Sequence, residues 1–241
     1  GWPDSPRTWD AVLPALTTAG YRCLAPFLRG FGSTRFLNDS TRRSGQATAL
    51  AQDVVDFADA INLGRFTIVG HDWGAFAAYL VAANWPQRIK RVIVLSVGYG
   101  INNPNEIPAL SQSRCFWYQC RFIWETWMPT WVFDENAFEE TAPAWDNPDW
   151  IAVTLHYYRH RWGNVLGDPR YDALETSRML PPNISVPTSL LHGAEDTCLL
   201  AATSEGKEHF FPNGYGRTVI PNVGHFPQRE LPAALIEAIL K

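Results

Sequence analysis

The stretch Arg65-Phe66-Thr67-Ile68-Val69-Gly70-His71-Asp72-Trp73-Gly74-Ala75-Phe76 constrains this chain more than any other. Phe66 to Val69 is a short apolar, β-branched run of the kind a buried strand requires. An Ala-rich helical pattern starts at Gly74 and runs to about Asn84, ahead of Pro86. Between them Gly70 and Gly74 stand two residues before and two after Asp72. That spacing predicts a tight strand-to-helix turn that lifts one side chain clear of a sheet. Small flanking residues are needed there because the backbone is strained and closely packed. The residue so displayed is an aspartate. A lone Asp ahead of a helix is ordinarily an N-cap, and only its partners elsewhere in the chain can give it another role.

The rest of the chain reads as the setting for this turn. Trp9, Val12, Leu13 and Leu16 predict a helix over 8–18 with Gly20 as its stop, followed by a short strand at Tyr21 to Ala25. A long loop rich in glycine spans Pro26 to Gly45. Leu50, Val54, Phe57 and Ile61 share a helical face that ends near Gly64. Arg91 to Val97 is a further buried strand. Alternating strands and helices imply a mostly parallel sheet covered on both faces, an α/β architecture.

The character changes near Gly100. Trp117, Trp124, Trp127, Trp131, Trp145, Trp150 and Trp162, seven of the chain's eleven tryptophans, fall before Pro182 among recurrent prolines, with no strand alternation. The expected organisation is therefore an α/β core over 1–100, an inserted helical cap over 101–183, and the remainder of the core over 184–241. In the last part Pro187 to His192 is a strand, Ser204 to Phe211 a helix, and Arg217 to Ile220 a strand. A final helix begins near Leu231.

Composition narrows the partners. With 241 residues, 18% charged and a net charge of −4, the chain carries no basic face for nucleic acid or anionic membrane. No apolar run reaches transmembrane length. Cys23, Cys115, Cys120 and Cys198 lack metal-ligand spacing and read as free thiols in a reducing compartment, the cytoplasm. No metal or other cofactor is expected, and a homodimer stays open. The start at Gly1-Trp2-Pro3, with no strand before it, predicts a preceding piece of core.

Ligand sites of such sheets lie at the carboxyl ends of the strands. Asp72, Asp196 and His225 each follow a predicted strand, in the order nucleophile, acid, base. Asp196 would orient the imidazole of His225 and stabilise its charged form, with Glu195 as its competitor. His192, His156, His160 and His209 read as structural. A carboxylate attacking an acyl carbonyl would give a mixed anhydride, a poor route to ester hydrolysis. At an sp³ carbon bearing oxygen or halide it gives a stable alkyl ester, which a base-activated water can hydrolyse.

Gly70-His71-Asp72-Trp73-Gly74-Ala75 resembles the nucleophile motif of epoxide hydrolases and haloalkane dehalogenases of the α/β-hydrolase superfamily. Gly1-Trp2-Pro3-Asp4 resembles their oxyanion loop. The resemblance covers essentially the whole chain and implies an α/β-hydrolase fold with a cap. It implies an apolar small-molecule substrate, an oxyanion hole from the backbone N–H groups of Trp2 and Trp73, and two cap tyrosines on the epoxide oxygen. Phe116-Trp117-Tyr118-Gln119 and Tyr157-Tyr158-Arg159 carry those roles onto Tyr118 and Tyr158, with Tyr157 as the fallback for the second. Trp73, Tyr118 and Tyr158 would also contact substrate. The sequence departs from the pattern after Gln119, where Cys120-Arg121-Phe122 follows at once. A shortened cap, or a segment missing between Gln119 and Cys120, accounts for this. A hydrolytic dehalogenase is the alternative enzyme, since Trp73 could serve a halide. Trp2 stands where those enzymes commonly have Asn, and the tyrosine contexts have no halide rationale. A non-catalytic binder of the same fold would have no use for His225 and Asp196.

Overall fold

The computed structural model describes residues 1–100, 126–131 and 135–241. Among the described residues four strands form a parallel sheet in sequence order: β1 (Phe66–His71), β2 (Ile89–Leu95), β3 (Thr188–Gly193) and β4 (Tyr215–Ile220). The helices are α1 (Leu13–Thr18), α2 (Ala47–Ala60), α3 (Trp73–Asn84), α4 (Glu135–Thr141), α5 (Trp150–Arg161), α6 (Asp172–Met179), α7 (Pro227–Glu230) and α8 (Pro232–Leu240). Pro6–Trp9 adds a turn of 3₁₀ helix before α1.

Strand alternation sorts the core into two layers. Val92 and Val94 of β2, with Leu190 of β3, face a large cluster built on α2 and α3. Ile93, Leu95 and Leu191 face the other side, against Val12 and Leu16 near α1 and Leu235 and Ile239 of α8. A stretch buried on both faces must be apolar, which is why 92–95 of β2 reads as a continuous apolar run after the outer Lys90 and Arg91. α3 is buried nearly all round, through Ala75, Phe76, Ala77, Ala78, Tyr79, Leu80, Val81 and Ala82. Its alanines let it lie close to β1, β2 and α2.

Three local expectations give way. Residues 21–25 join no ladder among the described residues, and Tyr21 and Leu24 stand about half exposed, at 46% and 41%. An extended segment without a neighbouring strand has nowhere to place its backbone hydrogen bonds. The segment 204–211 forms two 3₁₀ turns, Ala201–Ser204 and Glu208–Phe210, because Glu205 is extended and Gly206 takes φ 65°. On α2 the buried stripe runs through Ala47, Leu50, Ala51, Val55 and Ala58, while Phe57 is exposed. Small residues win that interface because α3 opposite is itself Ala-rich and the two helices pack closely.

Between β2 and β3 every described regular element is helical: α4, α5 and α6, with short 3₁₀ turns. Among the described residues no helix is long and apolar enough to cross a membrane.

Candidate active site

Asp72 sits at the carboxyl end of β1 with φ 49° and ψ −120°, outside the regions an L-residue prefers. Its side chain makes no capping bond to α3, so the N-cap reading fails. A Cβ on Gly70 would overlap the backbone of Gly74 and Ala75, which explains glycine two residues before the aspartate. A Cβ on Gly74 would meet none of the described residues. The small residue is thus demanded on the strand side of the turn. Gly1 is likewise forced, because a Cβ there would overlap the Asp72 side chain. Only glycine lets the 1–4 loop come close enough for the Trp2 N–H to donate to Asp72 Oδ1 at 2.7 Å. Trp73 follows Asp72 as the first residue of α3, where helix N–H groups have no intrahelical partner.

Asp196 and His225 follow β3 and β4. Asp196 is buried and its carboxylate is fully engaged. Oδ1 accepts the N–H groups of Cys198 and Leu199, both at 2.8 Å. Oδ2 accepts from His225 Nδ1–H at 2.8 Å. The turn 193–199 therefore folds around the carboxylate, and Glu195, its competitor, is left exposed. Burial pushes the Asp196 carboxyl up, but the His225 and His192 imidazoles outweigh it and hold the group down at about 2. His192 donates Nε2–H to the Leu199 carbonyl at 2.7 Å and lies 3.4 Å from Asp196 Oδ2. It braces the acid and the turn, in keeping with a structural reading.

Nδ1 being committed to Asp196, the other ring nitrogen of His225 points at Asp72. His225 Nε2 is 3.7 Å from Asp72 Oδ2, beyond a hydrogen bond but close enough for strong electrostatic coupling. Burial lowers the His225 pKa, yet the Asp196 and Asp72 carboxylates beside it leave it well above the usual imidazole range. Burial raises that of Asp72, and the imidazole brings it below the ordinary carboxylate value. The resting site thus favours a charged imidazolium between two carboxylates.

The backbone of His225 is gripped on both sides. Its carbonyl accepts from His71 Nε2–H at 2.7 Å and from the Ser96 hydroxyl at 2.9 Å. Its N–H donates to the Trp127 carbonyl at 2.8 Å, and the Trp127 ring lies edge-on to the imidazole, 4.7 Å between centroids. Glu230 in α7 takes the N–H groups of Gly224 and Phe226, at 2.7 and 3.1 Å. Arg229 makes a two-pronged pair with buried Asp4, at 2.7 and 2.6 Å, and also reaches Thr141 on α4. The loop carrying Trp2 and the loop carrying His225 are tied together by that pair.

The helical segment supplies an aromatic wall. The Tyr158 ring stands edge-on to both Trp2 and Trp73, with centroids 5.6 and 5.7 Å away. Tyr157 is fully buried and stacked on Trp73 at 4.5 Å. Its hydroxyl finds no acceptor among the described residues, and burial raises its pKa. The two neighbours therefore divide: Tyr158 lies edge-on to both Trp2 and Trp73, and Tyr157 stacks on Trp73. Tyr118, and the junction at Gln119 and Cys120, lie outside the described residues.

Sequence reasoning missed His71, Ser96, Trp127 and the Asp4–Arg229 pair. Ser96 follows a buried strand just as Asp72 does, so the strand-end rule itself could have flagged it. Trp127 gave no signal among so many tryptophans.

Residues 1–141 match the family model described as the alpha/beta hydrolase fold. An epoxide hydrolase of Caballeronia sordidicola is 36% identical over 284 residues, covering all of this chain and 84% of that protein. The chain belongs to the α/β-hydrolase family, on its epoxide hydrolase branch. A solved structure of a candidate epoxide hydrolase from Klebsiella pneumoniae superposes on this α/β hydrolase with TM-score 0.91 and 35% identity. It aligns over 100% of this chain and 86% of the other. The Vigna radiata epoxide hydrolase VrEH1 shares the fold at TM-score 0.76 and 21% identity, with 99% and 87% covered.

Proposed function

We propose that this α/β hydrolase converts an apolar epoxide and water to a vicinal diol through a covalent ester on Asp72. The observation that carries the reading is the Asp72 carboxylate itself. It is displayed at a positive-φ turn, free of capping, with Oδ1 on the Trp2 N–H and Oδ2 facing His225.

With Oδ1 held, Oδ2 is the attacking oxygen. It forms a bond to an epoxide carbon as the carbon–oxygen bond of the ring breaks. The departing alkoxide needs a proton, which the Tyr118 and Tyr158 phenols supply as general acids. Esterification removes the Asp72 charge and with it part of what holds the proton on His225. The imidazolium proton then passes through solvent to the phenolate left by alkoxide protonation, and the neutral imidazole can act as a base at the step that needs one. It takes a proton from water at Nε2, the water oxygen bonds to the Asp72 carboxyl carbon, and the oxyanion rests on the Trp2 and Trp73 N–H groups. Each such donor is typically worth about 3 kcal/mol. Collapse of that intermediate breaks the bond from the acyl carbon to the substrate oxygen, the departing alkoxide takes the second water proton, and the diol leaves behind an ionised Asp72 and a protonated His225. Asp196 holds the imidazole and stabilises its charge throughout.

The residues around Asp72 support an apolar, aromatic-compatible ligand: Trp2, Trp73 and Tyr158 present ring faces and edges. Residues 101–183 act as the cap in this reading. The test supplies styrene oxide and 1-chlorobutane separately and measures diol and halide. Diol formation is expected; halide release without diol would overturn the proposal in favour of a dehalogenase.

A further inference from the structure

We infer that Ser96 and His71 are positioning residues that fix His225 for ester hydrolysis by holding its backbone carbonyl from two adjacent strand ends. The inference rests on His225 acting as the base. Ser96 ends β2 as Asp72 ends β1, and it too has a positive φ, 63°. Non-glycine residues occupy that region at a conformational cost, and such strain gathers at functional sites. Glycine would relieve it, and glycine lacks the hydroxyl. That hydroxyl, fully buried, donates to the His225 carbonyl. The Ser96 N–H is already committed to the Leu191 carbonyl at 3.0 Å, so the strained residue spans from β3 to the base.

His71 fills the second lone pair. Its Nε2–H donates to the same carbonyl, and its ring packs 4.9 Å from both His225 and Phe226. The opposite nitrogen has no partner among the described residues, so the ring is anchored through the one bond to His225. Burial, together with the neighbouring imidazole, drives the His71 pKa well below the usual value, so it stays a neutral donor beside a charged His225.

The consequence is specific to one half of the reaction. Attack by Asp72 needs no help from His225. Activation of water needs Nε2 placed against both the water and the Asp72 carboxyl. Misplacement of such a group by about 1 Å costs on the order of 100-fold. Loss of either donor should therefore slow ester hydrolysis and spare ester formation.

The experiment compares Ser96→Gly, Ser96→Ala, His71→Leu and His71→Gln with the parent and with His225→Gln. Styrene oxide is the probe, and intact mass and rapid quench resolve the two steps. The expected result is a 10- to 100-fold slower hydrolysis in Ser96→Gly, Ser96→Ala and His71→Leu, with ester formation within about threefold. His71→Gln places an amide N–H where the imidazole N–H was, and should recover most of the loss. Ser96→Gly should keep or raise Tm, which separates positioning from folding. A substrate-free readout is the low-field ¹H resonance of the His225 Nδ1–H on Asp196. It should shift or broaden in Ser96→Gly and His71→Leu and return in His71→Gln. Parental hydrolysis rates and an unmoved resonance in folded Ser96→Gly, or equal slowing of both steps, would overturn the inference. Failure of His225→Gln to accumulate ester would instead overturn the base assignment beneath it.

Discussion

The two sides of the pocket are built on different physics. On the core side, Asp196, His225 and the loop around them are fixed by directional hydrogen bonds, those on Asp196 and Asp4 charge-assisted. Asp196 accepts three donors, His225 is bonded at its ring, its N–H and its carbonyl, and Asp4 is locked to Arg229. On the helical side, Tyr157 and Tyr158 pack their rings on Trp73 and Trp2. Directional bonds hold a proton-transfer geometry to tenths of an ångström. Ring packing defines a shape and tolerates adjustment. The difference implies that core-side changes should break chemistry outright, and helical-side changes should alter rate and selectivity by degrees.

The sharpest break is expected at Asp72 and His225. Asp72→Asn should lower turnover by about 10⁴-fold or more, because the nucleophile is gone. His225→Gln should stop after ester formation, leaving an enzyme–substrate adduct in the mass spectrum of the intact protein. A clean parental mass after incubation with styrene oxide would count against His225 as the base.

Asp196→Asn should cost on the order of 10³- to 10⁴-fold, by analogy with amide replacement of an orienting acid. The sign of its pH effect also follows. Asp196 is the largest influence raising the His225 pKa, so its loss should move the pH limb of ester hydrolysis to lower pH. In the parent, hydrolysis needs neutral His225 and should fall as pH falls, while ester formation persists as long as Asp72 is ionised. Ester should therefore accumulate on the acid side. Accumulation on the alkaline side would contradict the assignment.

Arg229→Met leaves Asp4 buried and unpaired, and should cost about 3–5 kcal/mol of stability, read as a fall in denaturant midpoint. A change under 1 kcal/mol would show that the two loops are not held by this pair (about the median for an exposed one).

The smallest effects belong to the tyrosines and separate two neighbours. Tyr158→Phe should reduce kcat/KM for epoxides by about 10- to 100-fold, since it removes a proton donor. Tyr157→Phe deletes a buried hydroxyl without a described partner, and should leave activity within a few-fold and stability unchanged or slightly higher. Reversed results would assign the donor role to Tyr157.

The same contrast explains what could be read from the amino acids. The second half of β2 was legible because a strand stretch buried on both faces has to be apolar, and β1 and β3 were legible from short apolar runs ahead of a glycine. Asp72, Asp196 and His225 could be singled out because a nucleophile, acid and base would have to be particular residue types at strand ends, and the three side chains do come together. The segment 21–25 was not, since a strand is defined by its neighbour as much as by its own side chains. Nor was the break at Glu205 and Gly206, where a single glycine ended a helical pattern. Ser96, His71 and Trp127 stayed hidden for another reason. Each acts on the backbone of His225, and a backbone carbonyl or N–H is present at every residue and leaves no mark in the sequence. The sequence alone does not separate Tyr158 from Tyr157, whereas their packing on Trp2 and Trp73 differs.

The most direct test of the account is a single turnover in ¹⁸O-water followed by mass analysis of diol and protein. The ester mechanism predicts an unlabelled diol and one ¹⁸O in the peptide containing Asp72. Label in the first diol, with none in that peptide, would mean that water attacks the epoxide directly and that Asp72 is not the nucleophile.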